Sequence, residues 1–265
     1  MAGAGGDVGG IVSLTTDFGL LDWYVGAMKA AILGRCPRVQ IVDICHEVPP
    51  QQVRSGAFVL SRCWRGFAPG SVHVAVVDPG VGGDRGLLLG KCSGHWFVGP
   101  DNGLIEAAVW PEKLEARWLL DADRAGLPAV SPTFHGRDVF GPVAGLLMAG
   151  RDPDTLGGRC VESGRVAAGW PVVQTLGAEV EVLWVDRFGN LLTGANVDAV
   201  ASECVVWLGE VCVGGLRRTY SDVAEGDLLA LRGSDGCLEV AKRNGRADRA
   251  LGVGPGSVVR LVAGG

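Results

Sequence analysis

Six polar loops of one format punctuate this chain: TTDFG at 15–19, HEVPP at 46–50, DPGVGGDR at 78–85, GPDNG at 99–103, TFHGRD at 133–138 and DRFGN at 186–190. A short apolar run that ends in Asp, Asn, Gly or Pro reads as a buried strand delivering a polar turn. Ile11–Leu14 feeds the first loop, Val39–Ile44 the second and Val72–Val77 the third, so Asp17 and Asp78 fall at the carboxyl ends of strands. Taken singly, each loop is explained by Asp or Asn satisfying the backbone donors of its own turn. Their joint occurrence at strand ends asks for a common cause.

Between these runs the spacing predicts helices. Residues 23–34 stop at Gly34 and Pro37, residues 55–64 and 104–109 form two more, and 137–148 end at Gly150. Leu87–Leu89 and His95–Val98 read as further strands. Alternating strands and helices imply an α/β domain with a mainly parallel sheet, whose ligands bind beyond the strand carboxyl ends. From Glu179 the pattern changes to EVLWV, ECVVWL, VCVGGL, DLLALR, CLEVAK and SVVRLV, separated by turns too short for crossover helices. A smaller all-β, barrel-like C-terminal domain follows, because so small a sheet must close to protect its edges. The expected organisation is an N-terminal α/β domain over 11–160, a linker at 161–170 in a polar, weakly patterned interval, and the C-terminal domain over 171–265.

With 48% hydrophobic and 20% charged residues the chain is too apolar for disorder. A net charge of -5 without a long basic run argues against nucleic acid as a partner. The first ten residues lack the pattern of a signal peptide, and no apolar stretch reaches the roughly 20 residues that cross a bilayer. The expectation is a soluble, cytoplasmic protein with no membrane partner. Its 8 cysteines include no C-x-x-C pair and sit mostly among aliphatic residues, so buried free thiols are expected.

The glycine-rich GAGGDVGG precedes its strand instead of following it, and GxxxxGK[ST] is absent, so neither a dinucleotide cradle nor a P-loop is indicated. No HExxH or close His/Asp set suggests a metal. Asp78, Arg85 and His135 group as candidate chemistry: a carboxylate and a guanidinium from one loop, and an imidazole that precedes a helix, are the groups that orient a water and manage its proton. A structural ion pair beside a hydrogen-bonded histidine is the competing reading. His73 and His95 lie within strands and read as structural, whereas His46, beside Glu47, is placed to shape a pocket wall.

Taken together, LTTDFGLLDWYVGAMK, DICHEVPPQ, VVDPGVGGDR, FVGPDNGL, TFHGRDVFGP and VDRFGN resemble the S-adenosyl-L-methionine hydroxide adenosyltransferases. This is the DUF62 family of SAM hydrolases related to fluorinase and chlorinase, and the similarity runs from about Ile11 to the C-terminus. The resemblance implies a homotrimer with active sites between the N-terminal domain of one subunit and the C-terminal domain of its neighbour. It implies hydrolysis of S-adenosyl-L-methionine to adenosine and L-methionine, without cofactor or metal. It makes Asp78, Arg85 and His135 the set that handles water or hydroxide, and leaves open which group takes the proton.

By the same resemblance Asp17 accepts the ribose hydroxyls, Asp22 helps bind the methionine end, and Asp186 faces the methionine ammonium. Asn190 reads the adenine edge, Tyr220 supplies an aromatic face, Ser234 binds the methionine carboxylate and Asn244 contacts adenine through its backbone. In the fluorinase pattern a tyrosine stands at Asp78, another at His135 and a serine at Gly136. An anionic Asp78 repels an incoming halide, which favours hydrolysis over halogenation. A catalytically silent S-adenosylmethionine or adenosine binder is the alternative from a different class. Departures from the hydrolase pattern, at Gln52, Cys45 and Gly194, touch substrate positioning more than reaction class.

Overall fold

The computed structural model describes residues 10–128, 130–160, 173–200 and 203–264. The chain divides into two compact units, residues 1–169 and 170–265. The linker expected at 161–170 lies outside the described residues.

The first unit is a seven-stranded sheet covered by helices. Its strands are β1 (Ile11–Thr16), β2 (Gln40–Cys45), β3 (Val72–Val76), β4 (Leu87–Cys92), β5 (His95–Pro100), β6 (Ala116–Leu120) and β7 (Gly157–Cys160). In the order β2-β1-β3-β5-β4-β6-β7 the first four are mutually parallel and the rest antiparallel. The sheet is therefore mixed where a mainly parallel one was expected. The reason is local: Ser93 and Gly94 join β4 to β5 with φ of 48° and 79°, a two-residue hairpin turn that leaves no room for a crossover.

Side chains alternate across β1 and β3 with the period of two that strands impose. Val12, Leu14, Val72, Val74 and Val76 share a core with Met28 and Ile32 of α1 (Tyr24–Leu33) and Val143 and Leu147 of α4 (Gly141–Met148). Ser13 and His73 point the other way, toward the Trp64 that follows α2 (Val53–Cys63). There α2 packs on α3 (Leu104–Val109), and the Trp64 indole donates to Ala108 O at 3.1 Å. His73 and His95 are buried as expected: Ser13 Oγ lies 2.6 Å from His73 Nδ1, and His73 Nε2 lies 3.1 Å from His95 Nδ1.

In this unit three elements depart from the sequence expectation, and one of them is β6, a strand that no expected segment covered. The helix expected over 137–148 opens with one wide π-type turn, Gly136–Phe140, before α4 proper. Strand β7 lies in the interval that showed no pattern, because its glycines pair by backbone alone; a Cβ on Gly157 would stand 2.2 Å from Leu119 O.

The second unit is a closed barrel of β8 (Ala178–Val185), β9 (Leu191–Thr193), β10 (Cys204–Leu208), β11 (Val211–Arg217), β12 (Leu228–Arg232), β13 (Leu238–Lys242) and β14 (Val258–Ala263). Val180, Val182, Val206, Val240, Val259 and Leu261 fill its interior. Closure removes the sheet edges, as the short strands required. A single-turn helix, α5 (Ala247–Leu251), fits between β13 and β14 where no helix was anticipated. All the cysteines are free; Cys92, Cys204 and Cys237 are buried, Cys36, Cys45, Cys63 and Cys160 half-buried, and Cys212 exposed.

Candidate active site

Parallel pairing of β1 with β3 sets their carboxyl ends side by side, and this brings Asp17 and Asp78 to one cavity of about 70 Å³. Phe18, Phe134, His135 and Gly136 also line it, with Val76, Val81 and Thr133. Arg85 clamps Asp78: Nε donates to Oδ1 at 3.1 Å and to Oδ2 at 3.0 Å, and Nη2 also donates to Oδ2. Both side chains are 6% exposed, so the pair is held by charge and by planar fork geometry.

The same Nη2 donates to His135 Nδ1 at 2.7 Å. A guanidinium has no acceptor, so Nδ1 must accept and the proton of a neutral His135 resides on Nε2. Burial and the adjacent Arg85 cation push the His135 pKa below its ordinary value, favouring that neutral form. Phe140 backs both groups, with the guanidinium 5.7 Å from its ring centre and the imidazole edge-on at 6.4 Å.

Three supports that the sequence did not single out hold these groups. Asn102, in GPDNG, donates through Nδ2 to Val77 O at 2.9 Å and steadies the strand end that carries Asp78. Gly82, at φ 76°, runs so close to the neighbouring loop that a Cβ would lie 2.3 Å from Pro132 O. Gln51 sits at φ 67°, an uncommon conformation for a residue with a side chain, and its N–H donates to Asp17 Oδ2 at 2.8 Å. Burial raises the Asp17 pKa, opposed by that hydrogen bond and assisted by the Asp78 charge.

On the barrel, Phe188, Asn190, Thr219, Tyr220, Arg243 and Asn244 line a second pocket of about 630 Å³. Asp186 is bound to its own turn: Oδ1 accepts from Phe188 N at 2.9 Å and Asn190 N at 2.8 Å, and Oδ2 accepts from Asn190 Nδ2 at 3.0 Å. The carboxylate thus aims the Asn190 amide. Tyr220 donates to Glu239 Oε1 at 2.6 Å; burial and that bond raise the phenol pKa, while burial raises the pKa of Glu239. Glu239, 5% exposed, was not anticipated, although a carboxylate inside the apolar run CLEVAK was the available signal.

The structure therefore joins Asp17, Asp78, Arg85 and His135 in one unit, and Asp186, Asn190, Tyr220 and Asn244 in the other. Asp22 is exposed and outside the lining of the first cavity, and Ser234 is exposed and outside that of the second. Among the described residues no group of three or more His, Cys, Asp or Glu is placed to hold a metal, and no helix is long and apolar enough to cross a membrane.

Comparison with known proteins fits this division. Residues 12–157 match the family model described as the SAM hydroxide adenosyltransferase N-terminal domain, and 180–260 match its C-terminal counterpart. The (R)-S-adenosyl-L-methionine hydrolase of Thermus thermophilus is 41% identical over 95% of this chain and 99% of its own. A fluorinase of Nocardia brasiliensis is 27% identical over 57% of this chain and 58% of its own. A crystal structure of an uncharacterized conserved protein from Thermotoga maritima superposes with a TM-score of 0.85 at 33% identity, covering 95% of this chain and 99% of that one.

Proposed function

The chain belongs to the SAM hydroxide adenosyltransferase family, and we propose on that footing that Asp78, Arg85 and His135 carry the attack of water on its substrate. The protein hydrolyses S-adenosyl-L-methionine to adenosine and L-methionine. A water oxygen bonds to ribose C5′, the C5′–S bond breaks, the sulfonium electron pair returns to sulfur as the neutral thioether of methionine, and one proton leaves the water. Sulfonium is already a good leaving group, so the protein's work is to desolvate, aim and deprotonate the nucleophile.

The Asp78–Arg85–His135 constellation is the observation that carries this reading. The His135 Nε2–H donates to a lone pair of the water and fixes its orientation. Asp78, whose oxygens keep acceptor capacity beyond the Arg85 fork, takes the water proton. Arg85 holds both partners at once and fixes the orientation of the Asp78 carboxylate. Asp17 binds the ribose hydroxyls. Asn190, Tyr220 and the Asn244 backbone receive adenine, with Asp186 turned to the methionine ammonium and Asp22 and Ser234 serving the methionine end. Family membership supports a homotrimer whose sites pair one subunit's α/β domain with a neighbour's barrel, and a cytoplasmic location; we propose both, together with domains over 11–160 and 171–265.

Incubation with S-adenosyl-L-methionine in halide-free and chloride buffers, followed by chromatography with mass detection, tests the proposal. Equal adenosine and methionine are expected, with no 5′-chloro-5′-deoxyadenosine. Asp78→Asn and His135→Ala are expected to lower turnover far more than binding. Full turnover in either variant would remove that residue from the mechanism, and a chlorinated product would place the chain with the halogenases.

A further inference from the structure

Behind Asp17 lies a relay, buried at Thr16 and His46 and reaching the surface at Asp43 and Lys29, that the mechanism above does not use. Thr16, the last residue of β1, is fully buried, and its Oγ1 lies 2.8 Å from Nδ1 of His46. The same Oγ1 accepts from Phe18 N at 3.3 Å. His46, 3% exposed, places Nε2 3.1 Å from Asp43 Oδ1. Asp43 Oδ2 accepts in turn from Lys29 Nζ at 2.6 Å. Two backbone bonds close the frame: Gly19 N donates to His46 O at 2.7 Å, and Val48 N donates to Thr16 O at 3.4 Å.

The hydrogen-bond inventory makes the relay directional. Lys29 only donates, so Asp43 accepts from it through Oδ2, and Oδ1 of the same carboxylate faces His46 Nε2 at ion-pair distance. With Nε2 turned to that carboxylate, Nδ1 is left to pair with the Thr16 hydroxyl, whose lone pair takes the Phe18 N–H. Every group in the chain has a role that its neighbour dictates. The outcome is that the peptides on both sides of Asp17 are fixed to β2 and to the loop after it, independently of the Gln51 N–H that holds the carboxylate itself. Asp17 has no such anchoring from β1 alone, since the strand ends at Thr16.

We propose that His46, held by Asp43 and Lys29 and acting through Thr16, is a positioning residue that sets the Asp17 carboxylate for the ribose hydroxyls of the substrate. It does not touch the substrate. This rests on the reading of Asp17 as the ribose-binding group. Loss of the relay raises KM through the ribose contact while leaving the Asp78–Arg85–His135 chemistry intact, so kcat changes less than KM.

The test compares S-adenosyl-L-methionine with its 2′-deoxy and 3′-deoxy analogues in the wild-type protein and in Asp17→Asn, His46→Gln, Asp43→Asn, Thr16→Val and Thr16→Ser. His46→Gln, Asp43→Asn and Thr16→Val are each expected to lower kcat/KM for the natural substrate by about three- to tenfold, the range one hydrogen bond supplies. Thr16→Ser, which keeps the hydroxyl, is expected to stay near wild type. The penalties are expected to shrink toward onefold on a deoxy analogue, in parallel with that of Asp17→Asn. If the Asp17→Asn penalty shrinks on the analogues while those of His46→Gln and Asp43→Asn persist in full, the relay is only structural and the proposal is overturned. If the Asp17→Asn penalty is itself unchanged on both analogues, the ribose reading of Asp17 fails first. Asp43 is half-exposed, so Asp43→Asn decides the matter should His46→Gln not fold.

Discussion

Arg85 Nη2 bonds Asp78 and His135 at once, reaching Nδ1 of the histidine at 2.7 Å, so one guanidinium determines both the orientation of the carboxylate and the tautomer of the imidazole. The carboxylate and the imidazole are thereby ordered before substrate arrives. Replacing this fork by a point charge tests how much depends on it. Arg85→Lys retains the positive charge but cannot serve both partners in one plane. We expect kcat to fall by about a hundredfold, near 2.7 kcal/mol of barrier, with KM changed little. Steady-state kinetics on folded protein checks this, and a loss confined to KM would contradict it.

The His135 environment predicts the acid limb of activity. Burial and Arg85 both disfavour the imidazolium, so the neutral form persists below the ordinary histidine pKa of 6.5. Protonation would place an N–H on Nδ1 against the Arg85 donor and break their bond. Turnover is therefore expected to hold through pH 6.5 and to decline only at lower pH. A kcat profile whose acid midpoint lies above 6.5 would show that another group controls the limb.

Gly82 connects backbone geometry to the site. With φ at 76° and Pro132 O where its Cβ would be, Gly82→Ala must push the Asp78–Arg85 loop away from the loop that carries His135. We expect a stability loss of about 1–3 kcal/mol and a marked fall in kcat. Gly70→Ala is the control. Its φ is 91° but nothing lies within 4 Å of the added carbon, so it should cost stability without costing turnover. Denaturant midpoints measured beside rates separate the two.

The buried His73–His95 pair predicts acid instability of the α/β unit. Burial, with His95 beside it, lowers the His73 pKa from 6.5 to about 3. Above pH 6.5 the imidazole is neutral folded or unfolded, and no cost arises. As the pH falls below 6.5 the unfolded chain takes a proton that the folded one refuses. Stability then declines toward pH 3, by up to about 1.4 kcal/mol per pH unit for one such group. His73→Phe should be less stable at neutral pH, because Ser13 Oγ and His95 Nδ1 lose a partner, yet show a shallower decline between pH 6.5 and 4.5. Parallel slopes in urea titrations would refute it.

Much of the fold was legible because it is written in local chemistry. The apolar runs Ile11–Leu14 and Val72–Val77 became β1 and β3, Gly34 closed α1, and the short strands after Glu179 formed the closed barrel. Strands β6, β7 and β9 and the single turn of α5 were missed; β7 pairs through glycine backbone, and β9 and α5 are too short to show a period. Of the site, Asp78, Arg85 and His135 were grouped from residue type and loop position and Asp17 was added by resemblance; Asp17, Asp78 and His135 line one cavity, and Arg85 bonds to the last two. Asp22 and Ser234, transferred by resemblance alone, are exposed and line neither pocket.

The sequence by itself determined which segments bury themselves, where they turn, and which charged groups stand at their ends, because hydrophobic periodicity and turn chemistry act between near neighbours. Tertiary structure alone decided that Arg85 reaches His135 fifty positions away, that Thr16 leans on His46, and that Glu239 meets Tyr220. Those partners are chosen by strand order and loop approach. A hydrogen bond depends on tenths of an ångström and on direction, and neither is encoded in the distance between residues along the chain.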